Sequence, residues 1–249
     1  MKSGFWVKFL LFFLVATAIL ALTSFFLGDL RLTHKNEPSS LSANADIASY
    51  KTVIIDAGHG GEDGGTSSAA GLVEKDVNLD IANILYDMLT ANGIETIMTR
   101  VDDRLLYDRN VDFKGRKKKL DLAARLNIAE STPDAIFVSI HMNSYPDTKY
   151  SGLQVWYSRN NPDSEVLAEH IRNTNTKMLQ PSNKRATTAA GSSIFILNNA
   201  HCPAVLVECG FLSNHDEAAL FETEEYKQKV AFMLFCSITE FLGNSEQMP

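Results

Sequence analysis

The sequence predicts an α/β domain, with a mostly parallel, six-stranded sheet carrying helices on both faces, preceded by one N-terminal transmembrane helix. Three observations carry this expectation. Short β-branched apolar runs alternate with stretches of helical spacing along residues 53–241, and such alternation builds a parallel sheet that is covered on both sides. Two of the runs stop at or close to a histidine and a third stops at a glutamate. Residues 9–28 contain no charged side chain, and about 20 apolar residues suffice to cross a bilayer.

Lys2 and Lys8 precede the uncharged run from Phe9 to Gly28, and Asp29 follows it. That order of charges puts the N-terminus in the cytoplasm and the remainder outside. The expected organisation is a membrane anchor over 1–30, a flexible linker over 31–50 and one domain over 51–243. A cleavable signal peptide is the competing reading of the anchor. Its apolar core is usually about 7–15 residues, and the small-residue triplet Ala16-Thr17-Ala18 lies in the middle of the run rather than at its end. The linker is polar, contains Pro38 and shows no apolar period, as suits a tether.

The 249 residues are 45% apolar and 21% charged, an ordinary globular composition rather than a disordered or fibrous one. A net charge of -7 argues against a nucleic-acid partner, because a phosphate backbone needs a clustered basic surface. The basic run Arg116-Lys117-Lys118-Lys119 leads into a helical pattern and reads as a solvated helix start. Cys202, Cys209 and Cys236 are too few and oddly numbered for a disulfide framework. Free thiols are expected, with a Cys202–Cys209 bridge as the alternative.

Along the domain, Val53-Ile54-Ile55 reads as a buried strand that enters a loop, Gly58 to Gly65, holding five glycines. Val77, Ile81, Ile84, Leu85, Met88 and Leu89 form one helical stripe, closed by Asn92-Gly93, a common helix stop. A strand from Ile94 to Met98 follows. Leu122, Leu126 and Ala129 return to helical spacing, and Ala135 to Ile140 is a strand ending at His141. Leu153 to Tyr157 alternates as a strand, Val166 to Leu179 carries a helical stripe, and Ser193 to Leu197 reads as a further short strand. Ala204 to Val207 is a buried strand ending at Glu208, and Tyr226 to Phe241 marks a long C-terminal helix.

Ligands in such folds sit beyond the carboxyl ends of the strands. His59, His141 and Glu208 each follow a strand, so the fold gathers them at one edge of the sheet, while Glu74 stands at the start of the first helix, just after the glycine loop. An acid there has a bland explanation in the helix dipole, and single histidines are common at inert positions. Together, however, two imidazoles and a carboxylate make a three-ligand zinc site that leaves a fourth position open, which suits polarising a carbonyl and activating water. Glu208, an acid ending an apolar strand, is the candidate proton carrier, with a pKa expected to rise on burial. The alternative for Glu208 is a buried ion pair with Arg100, Arg125 or Arg185.

Other chemistries fit less well. The glycine loop lacks a following Gly-Lys-Ser/Thr, has the wrong form for a dinucleotide fingerprint and carries Glu62 and Asp63, which repel phosphate. No His-Glu-x-x-His helix is present, so the common metalloprotease signature is missing. A Cys209 nucleophile has no supporting spacing. His170 is expected at the surface, and His201 and His215 outside the metal site.

Asp56-Ala57-Gly58-His59-Gly60-Gly61, Glu74-Lys75-Asp76, Ser139-Ile140-His141-Met142-Asn143 and Pro203 through Asn214 resemble, in order, the motifs of the zinc-dependent N-acetylmuramoyl-L-alanine amidases. The resemblance covers residues from about Thr52 to Phe241. It implies a twisted, mixed sheet flanked by helices, a zinc ion (Zn2+) at the positions of His59, Glu74 and His141, and a catalytic glutamate at Glu208. The implied reaction is hydrolysis of the amide between the lactyl group of N-acetylmuramic acid and L-alanine in peptidoglycan. Met98-Thr99-Arg100 also matches the family, whereas Glu130 departs from the asparagine that many members carry there.

The anchor-plus-one-domain plan and the run from Gly210 to Val230 resemble family members of spore-forming bacteria. That implies action on spore cortex as the first step of muramic-δ-lactam formation, in the forespore intermembrane space, with lactam closure left to a separate deacetylase. Some such members act with an extracytoplasmic lipoprotein, so a partner of that kind is expected. Two further readings remain at this level: a zinc peptidase or deacetylase of the same fold, and an inactive wall-binding protein.

Overall fold

A computed structural model describes residues 50–246 except 109 and 111–113. The expected membrane anchor and nearly all of the linker lie outside these residues. Among the described residues no helix is long and apolar enough to cross a membrane.

Strand β1 (Thr52–Ala57) is wholly buried and enters the glycine loop. Helix α1 (Glu74–Ala91) follows, burying Val77, Ile81, Leu85 and Leu89 along one stripe. Its stop is the expected one: Gly93 takes φ 77, and the N–H of Ile94 donates back to the Leu89 carbonyl at 3.1 Å, a closure that needs the left-handed conformation glycine adopts freely. Next come β2 (Glu95–Met98), α2 (Lys117–Ser131), β3 (Ala135–Asn143), β4 (Gln154–Tyr157), α3 (Asp163–Met178), β5 (Thr188–Ala189), α4 (Phe195–Asn199), β6 (Ala204–Phe211), α5 (His215–Phe221) and α6 (Glu224–Glu246).

The sheet has six strands in the order β2-β1-β3-β6-β4-β5. The pairs among β2, β1, β3 and β6 are parallel, whereas β4 runs antiparallel to β6 and carries β5 parallel to itself. The sheet is therefore mixed, with its reversed strands at one side.

The strand count is as expected, but one member differs. Ser193–Leu197 is not a strand: Phe195–Asn199 forms the short helix α4, and the sixth strand is Thr188–Ala189. A short apolar run is ambiguous by periodicity alone. Here Ile196 and Leu197 pack together against Ile54, Phe137 and Ala204 on the α2 side of the sheet, as a helical turn laid over the strands does.

Each strand serves two layers because its side chains alternate between faces. Val53, Ile55, Val138, Ile140, Val205 and Val207 pack with α1, α3 and α6 into the larger core. Ile54, Phe137 and Ala204 face the opposite way, toward α2 and α4. Continuing that alternation, Asp56, Ser139, His141 and Glu208 fall on the α2/α4 side.

Candidate metal centre

Register brings the strand-borne residues level. Asp56 pairs with Ser139 across β1 and β3, and His141 pairs with Glu208 across β3 and β6. Their side chains share one face at the carboxyl ends of parallel strands. His59 enters from the glycine loop with φ 63, a left-handed conformation that costs a non-glycine residue about 1–3 kcal/mol unless its surroundings hold it. The holding contacts are present: the Arg125 Nη2 donates to the His59 carbonyl at 2.6 Å, and the ring Nδ1 stands 3.0 Å from Asp63 Oδ1.

Glu74 is the focus of the group. Its Oε1 lies 3.2 Å from His59 Nε2 and 2.9 Å from His141 Nδ1, and one ligand atom from each of the three residues lies within 4.8 Å of the others. The Met142 N–H donates to Oε1 at 3.1 Å and the Thr66 N–H to Oε2 at 2.8 Å, which fixes the carboxylate without using all its lone pairs. Close approach requires glycine on two sides: a Cβ at Gly58 would stand 2.3 Å from the His141 ring, and one at Gly65 2.3 Å from Glu74 Oε2.

The electrostatics follow from these contacts. Burial works to raise the Glu74 pKa, but the hydrogen bonds and charges of His141 and His59 hold it well below the usual carboxylate range. Burial works to lower that of His59, but Glu74 and then Asp63 hold it above its ordinary value. Two nitrogens and an oxygen therefore converge with their protons in competition, a donor set that sheds protons when it takes a cation. Asp63 on Nδ1 orients the His59 ring so that Nε2 faces the group, as carboxylates beside ligating histidines do.

Among the described residues Glu208 has no arginine partner. Arg125 binds Asp56 and Asp121 at 2.6 and 2.8 Å. Arg100 spends its donors on the carbonyls of Ala57, Gly58, Lys75 and Asp102, and Arg185 contacts the Ser151 carbonyl. Glu208 Oε2 is buried with no hydrogen-bond partner among the described residues. Burial, opposed by His141 and His59 and reinforced by Glu74, pushes its pKa up to about 7. It opens with His59 and His141 onto one cavity of about 260 Å³, whose far wall is apolar and includes Phe195 and Leu197 of α4.

Beneath the group lies a buried network that the sequence did not announce. Asp56 accepts from Thr99 Oγ1 at 2.7 Å, Ser139 Oγ at 2.6 Å and Arg125 Nη1 at 2.6 Å. Asn78, one turn into α1, donates to the Gly58 carbonyl at 3.2 Å. The legible signal was Asp56 itself, an acid directly after the apolar run Val53-Ile54-Ile55. The role of Thr99 and Arg100 is now visible as well, since both clamp the end of β1 and the loop that carries His59.

The basic run at the start of α2 is tied to the same loop, with Lys117 on Glu62 at 2.6 Å and Lys118 on Asp63 at 3.3 Å. Glu130 accepts from the His201 N–H at 2.9 Å and faces its Nδ1 at 2.6 Å, joining α2 to the segment before β6. His170 stands beside Glu240, and His215 is exposed next to Asp216; neither joins the group. All three cysteines are free. Cys209 points into the larger core while Cys202 packs on the opposite side of the sheet, which excludes a bridge between them. Burial also holds the Cys209 thiol far above its ordinary pKa, against a thiolate nucleophile.

A mixed α/β sheet with a His-His-Glu donor group and a buried acid at one edge defines a domain suited to hydrolysis at a cation centre. The chain belongs to the N-acetylmuramoyl-L-alanine amidase family, whose model matches residues 53–240. It is an N-acetylmuramoyl-L-alanine amidase, an enzyme of peptidoglycan. It is 33% identical over 201 residues to the germination-specific N-acetylmuramoyl-L-alanine amidase of Bacillus subtilis (strain 168), covering 81% of this chain and 84% of that one. Among solved structures, the CwlD amidase from Clostridioides difficile in complex with the GerS lipoprotein matches at TM-score 0.73 and 34% identity, over 78% of this chain and 99% of that one. The catalytic domain of CwlV, the amidase from Bacillus (Paenibacillus) polymyxa, matches at 0.65 and 30%, over 78% and 98%.

Proposed function

We propose that His59, Glu74 and His141 hold a zinc ion and that Glu208 carries the proton in hydrolysis of the amide between N-acetylmuramic acid and L-alanine. The observation that carries this reading is the convergence of the three ligand atoms beside a glutamate whose Oε2 is buried without a partner. An acid in that state costs stability, and a reaction that uses its free lone pairs accounts for its retention. The chemistry that zinc supplies when bound is Lewis acidity, which polarises a carbonyl and lowers the pKa of water.

The residues of the chain do the rest. Glu208 accepts a proton from the attacking water as the C–O bond forms at the lactyl carbonyl, and delivers it to the amide nitrogen as the C–N bond breaks. The products are a free lactyl carboxyl on the sugar and the free amino group of L-alanine. Asp63 keeps His59 in the tautomer that offers Nε2, and the apolar wall at α4 limits water beside Glu208.

The likeness to a germination-specific amidase and to a lipoprotein-bound amidase supports a finer reading. In it the enzyme trims spore cortex as the first step of muramic-δ-lactam formation, works with a lipoprotein partner, and stands outside the cytoplasmic membrane, in the forespore intermembrane space, on the anchor expected at residues 1–30. The test is digestion of purified peptidoglycan by the detergent-solubilised, zinc-loaded full-length chain, with and without a candidate lipoprotein, and identification of the cut bond by mass spectrometry. Release of stem peptides with a free L-alanine amino group is expected, and Glu208→Ala should abolish it with zinc still bound. Release of acetyl groups or of internal peptide fragments alone would sink the reading.

A further inference from the structure

Of Arg100, Arg125 and Arg185, Arg185 is the one with no hydrogen bond or ion pair to the metal-centre loop or the network beneath it. It is half-buried, with Nε and Nη2 at 3.3 and 3.2 Å from the Ser151 carbonyl. Its guanidinium lies 5.2 Å from the Phe211 ring and 6.0 Å from the Tyr150 ring. Among the described residues no carboxylate is within ion-pair distance of it. Glu217, whose charge it feels, already accepts from the N–H groups of Phe211 at 2.7 Å and Gly152 at 2.9 Å. The edge formed by Nη1 and Nη2 thus keeps its donors, and a guanidinium held on aromatic faces presents such an edge in fixed geometry for a carboxylate.

Its place relative to the reacting end is set by the sheet. A bulge in β6 leaves Phe211 paired with Asn143, two residues beyond His141 on β3. Gln154 at the start of β4 pairs with Glu208, and because β4 runs antiparallel, the same register carried back to Ser151 brings it level with Phe211 at the carboxyl end of β6. Arg185 therefore sits at the metal-centre edge of the sheet. Phe211 stands three positions beyond Glu208 on β6, at most about 10 Å away, which an extended peptide covers in about three residues.

We infer that Arg185, braced by Phe211 and Tyr150, is a subsite for a carboxylate on the peptide side of the substrate, about three residues from the scissile amide. This rests on the amidase reading above. The charge decides the side, because the peptide released by the reaction carries carboxylates while the neutral sugar rings offer none for a guanidinium.

The experiment uses the zinc-loaded full-length chain and its Arg185→Gln variant, which keeps an amide donor for the Ser151 carbonyl but no charge, with Arg185→Lys as a second variant. Muramoyl tripeptides with free or amidated stem carboxylates serve as substrates, and the isolated stem tripeptides, free or amidated, are titrated calorimetrically. A hydrogen-bonded charge pair predicts that the wild type prefers the free carboxylate by about tenfold in KM. Arg185→Gln should erase that preference by raising KM for the free form alone, and Arg185→Lys should restore part of it. Equal losses on both substrates, or a loss in Tyr150→Leu with none in Arg185→Gln, would overturn the subsite, the latter in favour of sugar stacking. If the wild type releases no peptide from either substrate, with or without the candidate lipoprotein, the amidase reading falls; the calorimetric preference then decides the subsite alone, upheld if present and overturned if missing.

Discussion

The two faces of the sheet are built from the same strands and could hardly differ more. In β1, Ile55 is buried among the apolar side chains of α1 and α6, while its neighbour Asp56 is equally buried among Thr99, Ser139 and Arg125. The first face is closed by three long helices. The second is covered by α2 and the five-residue α4, which leave a cavity beside Glu208. One face stores stability and the other spends some of it: a strained His59, a partnerless Glu208 oxygen and a buried charge network are tolerated because the opposite core is continuous.

Substitutions on each side sharpen the contrast. The largest effect is expected at Glu208→Gln, with kcat falling about 10²–10⁴-fold, the usual weight of a proton carrier, while zinc content by metal analysis is unchanged. Loss of zinc in this variant would make Glu208 part of the cation site instead. Arg125→Met follows, costing about 3–5 kcal/mol in denaturant unfolding because it strands the Asp56 charge in the interior.

The same pair sets an acid limb. Burial works to raise the Asp56 pKa, but the Arg125 charge and the Ser139 and Thr99 hydrogen bonds hold it below its usual range. Its stabilisation is therefore complete above the ordinary aspartate value of about 3.9 and is lost as pH falls through the lower native value. Unfolding measured against pH in Asp56→Asn should lack that limb; an unchanged acid limb would show that the pair contributes nothing.

On the apolar face, Leu85→Ala is expected to cost about 2–5 kcal/mol and to leave zinc affinity at the wild-type value when measured well below the melting temperature. A matching drop in zinc affinity would break the separation of the two faces. Asp63→Asn should do the reverse, weakening zinc about 10–100-fold with little change in melting temperature. The smallest effect belongs to Glu130→Asn, which restores the residue expected from the family pattern. Glu130 and His201 form a solvent-facing pair, worth about 0.2–1 kcal/mol, so a modest drop in melting temperature and unchanged activity are expected.

Periodicity and turn residues were enough to place β1, α1, β3, β6 and the C-terminal helix, because long stripes and β-branched runs are local signals. They were also enough to nominate His59, Glu74, His141 and Glu208, since residues that follow strands in an α/β sheet, and the helix start just after such a loop, lie at its working edge wherever the partner strands come from. They misassigned Ser193–Leu197, where a few apolar residues fit either period and the deciding factor was the surface they had to cover. The fate of the arginines was equally out of reach. Arg100, Arg125 and Arg185 are alike in sequence as partners for Glu208, and only strand register and helix packing send two of them to backbone and aspartates beneath the site and leave the third against aromatic rings at its rim. Local pattern thus fixed which residues stand at the edge of the sheet. Long-range packing decided which of them touch, because burial and charge pairing depend on neighbours that lie tens of residues away along the chain.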